Sequence, residues 1–180
     1  MMNSTGLNLA MMTLSIGIVV LVSRKKKLSL KRDLGIVIPN WRVVLLWVSL
    51  FIFLIAIEDY LFSQFSDSAV ESWKEKYTPL EMLLRGIGIV VLAPIAEELM
   101  FRGLLFWRIK NSPLSTYGAI LIPAFLFTAI HIQYSELLTL AVIFIDGLFY
   151  GLARHFSKSV VLAIVLHSLS NLGAVLERIL

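Results

Sequence analysis

Long apolar runs alternate with short polar segments along this chain. A helix needs about 20 residues to cross the roughly 30 Å hydrocarbon layer of a bilayer, and six runs come close to that length. They are Leu7 to Val22, Trp41 to Phe62, Pro79 to Trp107, Ser115 to Ile132, Glu136 to Ala153 and Lys158 to Leu176. The third and fourth contain Pro94 and Pro123, and a proline inside a membrane helix usually kinks it. The pattern predicts an all-α fold, a polytopic membrane helix bundle of about six transmembrane helices.

The composition supports this prediction. Of the 180 residues, 58% are hydrophobic and 16% charged, against about 45–50% and about 25% in soluble domains. Mean hydropathy is +0.86. The chain has no cysteine, which excludes thiol catalysis, disulfides and thiolate metal sites. We expect one compact membrane domain in two parts: residues 1–65 hold the first two spans and a basic loop, and residues 66–180 hold a helical core that carries the chemistry.

Charge is distributed unevenly between the loops. The first loop and the start of the second span hold Arg24, Lys25, Lys26, Lys27, Lys31, Arg32 and Arg42, with Asp33 as the only acid of the loop. Two more basic turns follow the third and fifth spans, whereas Ser66–Thr78 and the turn near Gln133–Glu136 carry most of the loop acids. The positive-inside rule then places the basic loops in the cytoplasm and both termini outside. Because the net charge is only +4, the expected partner is the lipid bilayer and no nucleic acid is expected. The N-terminus lacks a basic region and a cleavage site, so we expect an uncleaved anchor.

Three charged residues interrupt the third apolar run. Glu97, Glu98 and Arg102 lie within six residues, although a single charge at the bilayer centre costs roughly 2.5–3.5 kcal/mol on insertion scales. Glu98 and Arg102 are four residues apart and can neutralise each other on one helix face. Glu97 points about 100° away and has no partner in its own helix. Such a carboxylate suits a general base, although all three residues could instead form a polar clamp between helices.

Other polar residues occur at similar depth in separate spans. His131 ends the fourth span, one turn after Phe127, and His167 precedes Asn171 by one turn in the sixth. At 1.5 Å per residue, Glu97 and these three polar residues lie roughly 14–22 Å from the cytoplasmic ends of their helices. The four are therefore predicted to share one slab of the membrane. Taken alone, each histidine could equally be a bridge between helices.

A family resemblance rests on these same residues. Glu97-Glu98-x-x-x-Arg102, Phe127-x-x-x-His131 and His167-x-x-x-Asn171 resemble the three motifs of the CAAX protease and bacteriocin-processing family (CPBP, or Abi). The resemblance extends from about Leu80 to Leu176. It implies a glutamate-dependent intramembrane endopeptidase of the type II CAAX prenyl endopeptidase group. By this resemblance Glu97 and His131 activate the attacking water, and His167 and Asn171 stabilise the oxyanion. Glu98, Arg102 and Phe127 support the site.

Alternatives remain open at this point. No His-Glu-x-x-His motif occurs, so no metal or other cofactor is predicted; the alternative is zinc held by Glu97, His131 and His167 with one water. The same fold could serve as a silent membrane scaffold or a bacteriocin self-immunity protein, and intramembrane acids could relay protons in a transporter.

The expected substrate is a peptide or a membrane protein. The compact length resembles prokaryotic family members, so we expect a multi-pass protein of a prokaryotic cell membrane. Asp146 lies in mid-span and departs from the apolar pattern. We expect it to pair with Arg102 across helices, with polar lining of an access path as the alternative.

Overall fold

The computed structural model describes residues 4–66 and 72–180. Within them the chain forms six helical segments and no strand. The segments are α1 (Ser4–Lys25), α2 (Trp41–Phe65), α3 (Pro79–Lys110), α4 (Ser115–Ala129), α5 (Leu137–Ser157) and α6 (Val160–Ile179). The predicted all-helical membrane bundle is confirmed.

The prediction of about six spans corresponds to five long helices and one shorter apolar helix. Five helices are long and apolar enough to cross a membrane, whereas α4 has 15 residues, or about 22 Å at 1.5 Å per residue. The fourth apolar run is as long as predicted, but its helix stops at Ala129, and His131 already lies in the turn that follows. The third run forms a longer helix than expected, with 32 residues.

Local capping explains where several helices begin. The Asn40 side chain accepts the Arg42 N–H at the start of α2. At the start of α3, Thr78 and Glu81 form a reciprocal capping box followed by Pro79 at the first helical position, where the missing N–H costs nothing. The Ser159 hydroxyl accepts the Leu162 N–H at the start of α6. Of the predicted acidic loop Ser66–Thr78, residues 67–71 lie outside the described part of the chain.

The best-buried apolar core lies where α2, α5 and α6 meet. Phe51, Tyr150, Leu162 and Leu166 are each at most 1% exposed there. Helix α1 packs against α3 on another side of the bundle. Many large apolar side chains point outward, such as Phe53 at 67% exposure, as expected of a surface that faces lipid.

The basic loop between α1 and α2 is attached to the turn between α5 and α6. The Val160 N–H donates to the Gly35 carbonyl at 2.8 Å, and the Ser159 hydroxyl donates to the Val37 carbonyl. Gly35 has φ +74°, and a Cβ there would overlap the Arg154 guanidinium. Glycine is therefore needed at this position both for the backbone conformation and for space. The loop is a fixed part of the fold.

Candidate active site

Helix α3 carries the acidic motif between two π-helical turns. These turns are Gly88–Leu92 and Leu99–Leu105, and the motif glutamates end the α-helical piece Ala93–Glu98 between them. Such turns are rare and frequently occur at functional sites. Their wider hydrogen-bond spacing changes the direction in which the following side chains point. The residue pattern of the sequence does not predict these turns.

The first π-helical turn determines where the Asn171 side chain goes. The Ala93 N–H bonds to the Gly88 carbonyl, five residues back, so the next residue would bond to Ile89. That residue is Pro94, which has no N–H to donate. The Asn171 amide donates to the Ile89 carbonyl instead, at 2.8 Å. Asn171 thus supplies from α6 the hydrogen bond that proline removes from α3, as membrane helices require of freed carbonyls.

Glu98 and Arg102 form a sealed ion pair. Arg102 Nη1 lies 2.9 Å from Glu98 Oε1, with side chains 1% and 0% exposed. Arg102 Nη2 also donates to the Gly147 carbonyl of α5 at 2.8 Å. Because Gly147 lacks a side chain, the guanidinium approaches that carbonyl closely; a Cβ there would lie 3.2 Å from Arg102 Nη2. The pair predicted from the four-residue spacing is present.

Aromatic rings enclose the Arg102 guanidinium. Its central carbon lies 4.7 Å from the ring centre of Phe127 and 5.5 Å from that of Tyr150. A cation over a ring face is attracted to it, and more strongly where water is excluded. Phe127 also contacts His131, with ring centres 4.7 Å apart. Phe127 therefore links the arginine to the histidine motif.

His167 lies between the two glutamates. Its Nδ1 is 3.1 Å from Glu98 Oε1, and its Nε2 is 3.9 Å from Glu97 Oε2. We assign a proton to Nδ1, since the Glu98 oxygen that faces it also accepts from Arg102. The ring stacks on Tyr150 with centres 5.3 Å apart. Of the four residues predicted to share one level, Glu97 and His167 are thus brought within 3.9 Å of each other.

Glu97 differs from Glu98 in its access and in its partners. Its side chain is 23% exposed, and its buried Oε2 has no hydrogen-bond donor among the described residues. It interacts electrostatically with His131 and His167. Glu98 Oε2 and Arg102 Nε likewise have no hydrogen-bond partner among the described residues, so the two acids differ chiefly in their exposure. Glu97 is therefore the more accessible acid of the pair.

His131 lies just beyond the end of α4. Its N–H bonds to the Thr128 carbonyl, which leaves the Phe127 carbonyl without a helical partner. His131 Nδ1 lies 2.7 Å from that carbonyl oxygen. A carbonyl only accepts, so Nδ1 carries a proton in this contact, and in the neutral imidazole Nε2 is then the acceptor. The imidazole is held in a form suited to a base.

Asp146 does not form the expected pair with Arg102. Its Oδ2 instead accepts from the Tyr150 hydroxyl at 3.2 Å and from the Ser170 hydroxyl at 3.4 Å. The interhelical pairing hypothesis is wrong because Glu98 and the Gly147 carbonyl already occupy the guanidinium. Sequence reasoning missed Tyr150, whose position one turn after Asp146 in an apolar helix was the available signal.

The arrangement also bears on metal binding. Among residues 4–66 and 72–180, no three His, Asp or Glu side chains are grouped so as to hold one ion. Glu98 and His167 are instead engaged with Arg102 and with each other.

Fold and site together define an integral, multi-pass membrane protein with acids, imidazoles and a guanidinium gathered between its helices. Comparison with known protein families agrees with this class of protein. The Rce1-like family, described as type II CAAX prenyl endopeptidases, matches residues 79–173. This is more than half of the chain, and the chain belongs to this family of CAAX-type intramembrane proteases. The resemblance inferred from the three motifs is confirmed.

One curated relative is an uncharacterized 24.3 kDa protein of Escherichia coli, 39% identical over 89 residues. The alignment covers 48% of this chain and 41% of that protein, so the chain spans less than half the length of its relative. No solved structure matches the chain significantly.

Proposed function

We propose that the protein is an intramembrane endopeptidase in which Glu97 and His131 activate the attacking water. The observation that carries the proposal is the state of Glu97. Its side chain is 23% exposed, whereas that of Glu98 is 0% exposed. A carboxylate in this state is available to accept a proton from water. Glu98, sealed between Arg102 and His167, is not available and serves to hold the site in place.

We propose the following sequence of steps. Glu97 removes a proton from a water molecule, His131 Nε2 orients that water, and the oxygen attacks the substrate carbonyl carbon. The carbonyl π electrons move to its oxygen, giving a tetrahedral oxyanion. The C–N bond then breaks as Glu97 returns the proton to the leaving nitrogen. The products are a carboxylic acid and an amine, so one water is consumed and the enzyme is regenerated.

The oxyanion needs hydrogen-bond donors that are already in place. We assign this role to His167 as a cation with a proton on each nitrogen: Nδ1–H donates to Glu98, and Nε2–H, on the edge that faces Glu97, donates to the oxyanion. Asn171 contributes its second amide hydrogen, since the first is engaged with the Ile89 carbonyl. Donors in a water-poor site act more strongly than in water because the local dielectric is low.

The substrate we propose is a peptide or a membrane protein that presents an extended segment near the bilayer. Cleavage beside a prenylated cysteine is one version, and it requires a host that prenylates proteins. The relative from Escherichia coli supports our proposal of a prokaryotic cell membrane, where unprenylated substrates are the first to test.

The test uses the full chain in lipid nanodiscs with a library of prenylated and unprenylated fluorogenic peptides. Glu97→Gln preserves shape but cannot take the proton, and we expect a loss in kcat of about 10²–10⁴-fold. His131→Asn keeps a donor for the Phe127 carbonyl but removes the base, with a loss in the same range. Glu177→Gln, an exposed glutamate on α6, is the matched control and should leave kcat unchanged.

Two further results decide the mechanism. Cleavage that persists with a metal chelator supports the metal-free scheme, whereas loss on chelation and recovery with zinc would replace it. Full activity of Glu97→Gln would remove the glutamate mechanism. If the wild-type protein cleaves no library member, and Glu97→Gln retains the biological activity of the wild type in cells, the scaffold or self-immunity alternative is favoured.

A further inference from the structure

A basic cleft of about 600 Å³ opens at the ends of α3 and α5, apart from the Glu97 cluster. It is lined by the basic loop between α1 and α2 and by the last turns of both helices. Its charged lining residues are Lys31, Arg32, Asp33, Lys110, Arg154 and Lys158. We propose that this cleft binds the phosphate group of an anionic phospholipid from the leaflet that the positive-inside rule assigns to the cytoplasm.

The floor of the cleft is a fixed arginine. Arg154 is 5% exposed, and its Nε donates to the Arg102 carbonyl at 3.1 Å. One terminal nitrogen lies 3.4 Å from the Asp33 carbonyl oxygen, and the guanidinium lies 5.1 Å from the Phe106 ring centre. The two carbonyls accept hydrogen bonds from this guanidinium, and the Phe106 ring packs near it. None of these neutral groups cancels its positive charge. Arg154 therefore adds a permanent positive field to the cleft.

The acid in the cleft is already engaged. The Asp33 carboxylate accepts the Ser29 N–H at 2.7 Å and Arg32 Nε at 3.3 Å. The Ser29 hydrogen bond lowers the pKa of Asp33, so this group is ionised at neutral pH and neutralises Arg32. Among the described residues, Lys31, Lys110 and Lys158 have no carboxylate partner.

The remaining cations repel one another. The Lys110 ammonium interacts unfavourably with both Lys158 and Arg154. A concave surface with uncompensated charge of one sign focuses the field and attracts the opposite ion. A phosphate oxygen accepts charge-assisted hydrogen bonds from several ammonium groups at once. Binding of a phosphate would thus relieve the repulsion that the fold imposes.

The apolar surroundings favour a lipid over a free phosphate. Val37 lines the cleft, and its neighbours Ile36 and Ile38 are 39% and 88% exposed. Trp107 also lines the cleft. Trp41, the first residue of α2 directly after this loop, is 63% exposed. Exposed apolar side chains beside a basic pocket at the end of membrane helices are suited to contact acyl chains while the cations hold the headgroup.

The test measures lipid retention by the full chain in a nonionic detergent with equal phosphatidylglycerol and phosphatidylcholine, using native mass spectrometry. The cleft variant is Lys110→Gln with Lys158→Gln, which keeps side-chain length. The control is Lys25→Gln with Lys26→Gln, two exposed lysines that remove the same charge outside the cleft. Both variants must match the wild-type unfolding temperature in phosphatidylcholine alone, so that any difference in retention reflects the site.

We expect the wild-type protein to retain phosphatidylglycerol preferentially. Each basic residue near an anionic lipid strengthens binding about fivefold, so the cleft variant should lose about 25-fold in affinity and the control less than about fivefold. Equal losses in the two variants would overturn the proposal, because a general surface charge would then explain the binding. A separate arm adds inorganic phosphate alone. Thermal stabilisation by phosphate equal to that by phosphatidylglycerol would overturn the lipid as the source and identify a free anion instead.

Discussion

Replacing Arg102 with methionine should lower the free energy of unfolding by about 3 kcal/mol. Removing one partner of a buried ion pair generally costs about 3–5 kcal/mol, because the other charge stays buried. Here the carboxylate left behind is Glu98, at 0% side-chain exposure. His167 Nδ1 still donates to it, so we place the cost at the lower end of the range.

The hydrogen bond from Arg102 to Gly147 contributes less than the ion pair. Interhelical hydrogen bonds in membrane proteins average only about 0.6 kcal/mol in double-mutant cycles. Methionine also fills much of the space among the rings of Phe127 and Tyr150, so loss of packing is small. The expected destabilisation therefore comes mainly from the unpaired Glu98 carboxylate. A second substitution that removes this charge should restore stability.

The assay is reversible unfolding of purified protein in mixed micelles, followed by circular dichroism. Arg108→Met is the control, since Arg108 is exposed on the same helix; it should change stability by less than about 0.5 kcal/mol. Adding Glu98→Gln to Arg102→Met should recover about 1–2 kcal/mol, a coupling typical of residues in contact. If Arg102→Met behaves like the control, or the double variant is no more stable than the single one, the buried ion pair does not carry the stability assigned to it.

Two other substitutions test the backbone features of the fold. Gly35→Ala places a Cβ against a buried guanidinium at φ +74° and should cost about 1–3 kcal/mol, whereas Gly17→Ala, with nothing within 4 Å, should be neutral or stabilising in the same unfolding assay. Asn171→Leu removes the donor to the Ile89 carbonyl and should lower stability by about 0.5–2 kcal/mol. Adding Pro94→Ala supplies an N–H from the helix itself and should return part of that loss. A double variant as unstable as Asn171→Leu would show that proline does not create the need for this amide.

Much of the architecture could be predicted because membrane helices have a strong signal. Length and apolarity located all six helical segments, and the four-residue spacing of Glu98 and Arg102 predicted their ion pair. The depth estimate brought Glu97 and His167 to one level, and the structure places these side chains 3.9 Å apart. These predictions succeeded because each depends on helical periodicity or rise, which the bilayer holds constant.

The unsuccessful predictions concern contacts that periodicity does not determine. Helix α4 ends at Ala129 and His131 Nδ1 then lies 2.7 Å from the Phe127 carbonyl oxygen, a contact that hydropathy does not encode. Asp146 accepts from the Tyr150 hydroxyl, whereas Arg102 donates to the Gly147 carbonyl instead of to Asp146. The two π-helical turns have no signature in the residue pattern. The catalytic roles of the motif residues remain predictions for the experiments above.

The two π-helical turns explain how α3 is joined to the helices around it. In the second turn the Phe106 N–H bonds to the Phe101 carbonyl, five residues back, and the helix then returns to bonds that reach four residues back. This change leaves the Arg102 carbonyl without a backbone donor in α3. Arg154 of α5 donates to that carbonyl at 3.1 Å. The Ile89 carbonyl is freed near the other turn and receives Asn171 of α6. Each irregularity of α3 thus creates an acceptor that a neighbouring helix satisfies, as the bilayer demands. As a consequence, the Arg102 side chain contacts Glu98, while its backbone carbonyl accepts a hydrogen bond from Arg154 of the basic cleft. A substitution of Arg154 would therefore disturb both regions, whereas substitutions of the cleft lysines separate lipid binding from catalysis.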